Sequence, residues 1–233
     1  MKRRLKINGL IMIAAILVIL VFPQAFIRHH SLGVREELFG VFGVALILLG
    51  QLLRVSARGY KSEHSLNGHA LIQGGPYTLV RNPMYLGIIL IGTGVVFTLF
   101  QWWVLCIFLA IFILRYLFLI FQEEKKLLAK FLQPYQDYCH KVPRLIPLPA
   151  VMVKTDISAY LPLKLAWFKK EIGSILGVLV VTLLLKSWID ISNNAITAYL
   201  EEALTIIITF ILFIALVAYL NKKTRTIYKN VSD

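Results

Sequence analysis

Between Gly68 and Gly87 the chain reads GHALIQGGPYTLVRNPMYLG, and at the end of the next long apolar run it carries the pair Glu123-Glu124. Only at these two places do glycine, proline, histidine, arginine, tyrosine and carboxylate crowd together beside hydrophobic segments of membrane length. Ionisable side chains and irregular backbone are costly at membrane depth, so they persist where they line a polar cavity or meet the aqueous face. Each piece also has a plainer reading. Glu123-Glu124 followed by Lys125-Lys126 reads as the solvated end of a span. His69 reads as a loop histidine like His29, His30, His64 and His140, and Gly-Pro-Tyr and Asn-Pro read as turn formers. Tyr135 and Tyr138 fit interfacial anchoring and a pocket equally well.

The elements that must position these residues are membrane helices. A chain of 233 residues with 58% hydrophobic content and a mean hydropathy of +0.75 is too apolar for a soluble domain of ordinary composition. The formal charge of +13 would suit nucleic acid, but the basic residues lie between hydrophobic runs, so no nucleic-acid partner is expected and topology accounts for them. Cys106 and Cys139 sit in an apolar and a polar run, too few and too unlike for a disulfide framework, and both are expected as free thiols.

Apolar runs recur at Ile7–Ile27, Leu38–Leu53, Tyr85–Phe100, Trp102–Phe121, Ile172–Ile189 and Ala203–Leu220, each near the length that crosses the hydrocarbon core. The expected fold is therefore all-α and integral to the membrane, with about six transmembrane helices and an uncleaved first span after Met1-Lys2-Arg3-Arg4. All lysines and arginines except Arg28, Arg35, Lys186 and the in-span Arg115 fall on one side of that arrangement, which places both termini in the cytoplasm. The Phe100-Gln101-Trp102-Trp103 corner makes Tyr85–Phe121 a helical hairpin that returns Glu123 to the level of Arg81 and Tyr85. The fourth span is expected to continue as a surface helix up to Pro134. The prolines at 143, 147, 149 and 162 then mark a linker. The division expected is residues 1–37 as first span and outer loop, 38–147 as core, 148–163 as linker, and 164–233 as a final helix pair with a basic tail.

Taken in order, His69-x-Leu71-Ile72-x-x-Gly75-x-Tyr77, Arg81-Asn82-Pro83-Met84-Tyr85-Leu86-Gly87 and Glu123-Glu124 resemble the signature of the integral-membrane methyltransferases. That group contains the isoprenylcysteine carboxyl methyltransferases, the phospholipid N-methyltransferases and related bacterial proteins. Phe131-Leu132-x-x-Tyr135-x-x-Tyr138 and Val142-Pro143-Arg144-Leu145-Ile146-Pro147 resemble the closing segment, so the likeness spans about Leu38 to Pro147. It implies S-adenosyl-L-methionine as cofactor, no metal, and a small apolar or lipid-like acceptor arriving from the bilayer of a bacterial or archaeal inner membrane. It matches His69, Ala70, Leu71, Ile72, Tyr77, Asn82, Pro83, Met84 and Tyr85 to positions lining the cofactor. It matches Glu123 to the partner of the cofactor's ammonium and leaves Glu124 to the surface. The close backbone approach at Gly74-Gly75-Pro76 would then be to the ligand.

Three positions depart from the family pattern. Asn82 replaces the usual histidine and cannot carry charge or shuttle a proton. Leu119 stands where the prenylcysteine enzymes place a substrate arginine, which leaves Arg115, one turn deeper, as the candidate for an anionic acceptor. Phe131-Leu132 replaces Phe-Gly, an exchange expected to change only local packing. No residue is assigned a catalytic proton transfer, because orientation dominates transfer of an already activated methyl group. Carboxyl versus nitrogen or sulfur methylation stays open, as do a non-catalytic or transport-associated membrane protein retaining the motif and a nicotinamide-dependent reductase on a related scaffold. The residues name no protein partner.

Overall fold

The computed structural model describes residues 21–28, 34–65, 69–148 and 160–193 and, within 204–226, residues 204, 207–208, 211–224 and 226. The elements are α1 (Pro23–Phe26), α2 (Val34–His64), a 3₁₀ turn (Gly75–Thr78), α3 (Pro83–Leu99), α4 (Trp102–Lys141) and α5 (Leu165–Asn193), followed by a helical segment α6 over 211–224. Among the described residues the architecture is all-helical, the one β feature being an isolated bridge between Ile27 and Phe100. Leu38–His64 and Trp102–Lys141 are long and apolar enough to cross a membrane, and Pro83–Leu99 is a shorter apolar helix of 17 residues. Most of the expected first run, Ile7–Ile27, and part of the sixth, Ala203–Leu220, lie outside the described residues.

The core is the antiparallel pair α2 and α3, and glycine makes it. Gly43 and Gly50 of α2 face Gly94 and Gly87 of α3: a Cβ on Gly50 would stand 2.6 Å from the Gly87 carbonyl oxygen, and one on Gly94 would stand 2.5 Å from that of Gly43. Two residues seven apart fall on one helix face, so two such pairs form a continuous seam. In lipid, where apolar burial drives little, such close backbone approach supplies the packing. Ile47, Leu48, Leu52 and Val55 of α2 are buried beside it, as are Ile91 and Val96 of α3.

The α3–α4 corner is as tight as expected, with only Phe100 and Gln101 between the helices. The segment after α1 pins it. Gln101 N–H donates to the Phe26 carbonyl at 2.9 Å, Arg28 N–H to that of Leu99 at 3.1 Å, and Phe26 packs on Trp103 with centroids 5.1 Å apart. Helix α4 then touches α3 along an aromatic strip, Phe108 against Gly92 and Tyr116 against Tyr85. Its far side exposes Ile107, Ile111, Leu114 and Phe118, as suits a lipid-facing surface.

Two expectations are corrected here. The second run does not end at Leu53: α2 has 31 residues and carries Arg54 to His64 as a helical extension. The expected end at Pro134 is a break two residues earlier, at Leu132, which takes φ 49° and ψ −127°, and a second helical stretch then runs to Lys141. Pro134 lacks the N–H that would bond the Lys130 carbonyl and is tolerated in a first helical turn, so it sits at the start of the stretch that follows the break.

Beyond the core, α5 docks on the extension of α2. The Trp167 ring lies where a Gly59 side chain would be, its Nε1–H donates to Glu63, and Arg54 donates to Ser174 Oγ at 2.9 Å. Helix α6 caps the start of α5: Leu163 N–H donates to Thr224 Oγ1 at 3.0 Å and Leu165 N–H to Asn221 Oδ1 at 3.1 Å. These bonds satisfy donors that have no partner inside the helix.

Candidate functional site

The turn that opens the site is held by its backbone. Gly75 has φ +58°, with the Tyr60 ring where a side chain would be, and Tyr60 stacks on His64 with centroids 3.9 Å apart. A left-handed residue against a ring face admits only glycine comfortably. The close backbone approach in this structure is thus to Tyr60. Thr78 Oγ1–H donates back to the Gly75 carbonyl at 2.7 Å, and Tyr138 OH donates to the Tyr77 carbonyl at 2.6 Å, tying the turn to the end of α4.

Glu124 is the keystone of the next layer. Arg144 reaches it through Nη2 at 2.9 Å and Nε at 3.1 Å, and Arg81 Nη1 lies 3.2 Å away. The hydrogen bonds to Glu124 push the Arg144 pKa further up. Arg81 also donates to Cys139 Sγ at 2.7 Å, and Arg144 lies over the Phe121 ring at 4.5 Å. The backbone repeats the link, with Arg81 N–H to the Pro143 carbonyl at 2.8 Å and Asn82 Nδ2–H to that of Arg144 at 3.1 Å. The surface role expected for Glu124 is therefore corrected: its side chain is only 12% exposed. Adjacent residues on a helix point about 100° apart. Glu124 accordingly turns toward the two arginines, whereas Glu123 turns toward α3.

There the Tyr85 hydroxyl donates to Glu123 Oε1 at 2.8 Å, and Tyr85 packs on Tyr116 at 5.2 Å. The Glu123 carboxylate belongs to an exposed residue, so it has capacity for a second donor. Tyr77 stands within its field: burial first, and then Glu123, raises the Tyr77 pKa well above its ordinary value.

A cavity of about 210 Å³ lies between the turn and α4. Ala70, Leu71, Ile72 and Tyr77 form one wall, and Leu127, Phe131, Tyr135 and Tyr138 of α4 form the other. Lys61, Ser65, Arg81 and Lys130 add donors, and Arg81 Nε is buried with no hydrogen-bond partner among the described residues. Glu123 and Tyr85 do not line it; Leu127, one turn beyond Glu123 on α4, does.

The residues singled out in the sequence thus separate into two groups. The structure brings Ala70, Leu71, Ile72 and Tyr77 into the cavity wall and joins Tyr85 to Glu123. His69 is exposed beside the turn, Pro83 is buried and Met84 half-buried in the first turn of α3, and Asn82 is committed to the loop after α4. Arg115 is exposed on α4, with no ion-pair partner among the described residues. Tyr135 and Tyr138 resolve toward the pocket, both buried, and both cysteines are free thiols. Lys61, Ser65, Leu127 and Lys130 were not singled out. Their signal was positional: the α2 extension runs beside the turn, and Leu127 and Lys130 lie one and two turns beyond Glu123.

Residues 38–133 match the model of a family described as phospholipid methyltransferase. The match takes in α2 from Leu38 on, the glycine turn, α3 and α4 as far as the break, and it bears out the resemblance carried by the motif over those residues. It points to a membrane methyltransferase. No curated protein and no solved structure matches the chain.

Proposed function

We propose that the protein transfers a methyl group from S-adenosyl-L-methionine to a lipid-like or small apolar acceptor at the surface of the membrane, with both chain termini on the cytoplasmic side. The observation that carries this reading is the Tyr85–Glu123 hydrogen bond, one helical turn from a cavity lined by motif residues and inside the segment that matches the family.

The residues present fit the cofactor. Arg81 Nε is an orphaned donor on a residue of the cavity wall, and an acceptor there would remove its desolvation cost. Leu71, Ile72, Leu127 and Phe131 offer an apolar slot for a base, and Lys61, Ser65 and Arg81 offer donors for a carboxylate. Glu123, braced by the Tyr85 hydroxyl, is the anion for an ammonium. When bound, S-adenosyl-L-methionine supplies an activated methyl group on a sulfonium leaving group.

What the chain then contributes is placement. The Glu124 clamp holds the turn against α4, so the two cavity walls keep their spacing. Glu123 and Tyr85 orient the polar end of the cofactor, and the Tyr85–Tyr116 and Phe108–Phe112 contacts line the helix pair along which an apolar acceptor approaches from the bilayer. Asn82 serves the loop, so no proton relay is assigned to it.

The test is incorporation of label from methyl-labelled cofactor into extracted lipids and prenylcysteine analogues by the purified protein in liposomes. Label in one acceptor class, lost in Glu123→Gln, supports the reading, and release of methanol by mild base then separates an ester from an N-methyl product. A folded parent that labels no acceptor class contradicts it.

A further inference from the structure

A second cavity, of about 220 Å³, lies between α2 and α5, on a different face of α2 from the Tyr85–Glu123 site. Arg58, Ser62, Trp167, Lys170 and Glu171 line it, and Val55 closes its apolar end. Gly59 keeps it open beside the Trp167 ring. Its charge balance is basic. Glu171 is engaged by Arg58 Nη1 at 2.6 Å and by Arg54 Nη2 at 3.7 Å, which leaves the exposed Lys170 ammonium without an ion-pair partner among the described residues. The Arg58 side chain is 55% exposed, with donors to spare. Glu63, the nearby carboxylate on α2, is already taken by Lys164 at 2.6 Å and by Trp167.

Below Lys170 the surface of α5 has a notch. Gly173 and Gly177 follow at three and seven residues, on the same helix face, and a Cβ on either would meet nothing within 4 Å. Ile172, Leu176 and Val180 form an exposed apolar ridge beside it. A basic pocket where a helix leaves its apolar stretch, continued by a smooth groove along that stretch, has the shape and charge of a headgroup site with room for a chain.

We propose that this cavity and notch bind one anionic phospholipid, its phosphate against Arg58 and Lys170 and one acyl chain along Gly173 and Gly177. Inorganic phosphate shares the headgroup chemistry but has nothing to lay in the notch. The site is separate from the motif and does not rest on the methyl-transfer reading. It gives the α5 addition, which lies outside the matched residues, a role in seating the protein on a charged bilayer.

The test equilibrates full-length protein in mixed micelles of phosphatidylglycerol and phosphatidylcholine and counts retained lipid by native mass spectrometry. Lys170→Gln and Gly177→Leu are the variants, since neither breaks a contact that holds α5 in place, and Lys126→Gln on α4 is the control for general surface charge. Expected are preferential retention of phosphatidylglycerol, a loss of about fivefold in Lys170→Gln, a comparable loss in Gly177→Leu, no change in Lys126→Gln, and no displacement by excess inorganic phosphate. Equal retention of the two lipids overturns the proposal, as do displacement by inorganic phosphate, parent-like retention in both variants, or an equal loss in Lys126→Gln.

Discussion

Glu124 Oε2 lies 2.9 Å from Arg144 Nη2, which folds the loop after α4 back onto the middle of that helix. Its neighbour Glu123 makes no such contact and accepts from Tyr85 instead. Two adjacent carboxylates therefore divide, one closing the arginine clamp and the other, under the proposed function, serving the cofactor. Glu124→Gln is expected to lower stability by about 2–4 kcal/mol, less than for a fully buried pair because Arg144 is partly exposed. Glu123→Gln is expected to leave it within about 0.5 kcal/mol. Thermal unfolding of both variants in detergent checks this, and equal stability would refute the division.

The glycine seam makes a sharper demand. Gly50→Ala and Gly94→Ala each place a Cβ within 2.6 Å of a facing backbone oxygen, so the helices must separate at a cost of about 1–3 kcal/mol. Gly177→Ala adds a methyl group to open space and is expected to be neutral or slightly stabilising. Unfolding temperatures of the three variants give the contrast.

Leu132 occupies a backbone conformation suited to glycine, with φ 49°, and its side chain is exposed, so little packing opposes its removal. Leu132→Gly is expected to stabilise the protein by about 1 kcal/mol, while Leu132→Val, more crowded near the backbone, destabilises it. The family pattern has glycine at this position. The exchange read in the sequence as local packing is a backbone matter.

Tyr77 sets a pH limit. Its folded pKa is raised above the ordinary phenol value of 10, by burial and then by Glu123. Stability from keeping it neutral is therefore fully present below pH 10 and is lost as the pH rises past 10 toward the folded value. Alkaline unfolding of the parent against Tyr77→Phe, followed by circular dichroism with phenolate absorbance alongside, is expected to show a shallower loss above pH 10 in the variant.

How much of this was legible beforehand depended on what kind of signal carried it. The tight corner at Gln101 and the return of Glu123 to Tyr85 followed from run lengths and one short loop. Ala70, Leu71, Ile72 and Tyr77, which the motif singled out, line one cavity. The role of Glu124 did not follow, because a charge run at a helix end looks the same whether it meets water or two arginines, one of them 20 residues on. The seam of Gly43, Gly50, Gly87 and Gly94 was hidden in apolar runs, where a seven-residue spacing reveals its meaning only once a partner helix is known. The length of α2 was missed for a related reason: Arg54, Arg58 and Lys61 end the apolar run but are good helix formers, and α5 pairs with the first two.

The central claim is that Glu123 and Tyr85 hold the cofactor, and the most direct measurement is calorimetric titration of S-adenosyl-L-methionine into the protein in nanodiscs. Saturable binding by the parent is expected, weakened about 10- to 100-fold in Glu123→Gln and about fivefold in Tyr85→Phe. Absence of binding by a folded parent, or parent-like affinity in Glu123→Gln, would contradict it.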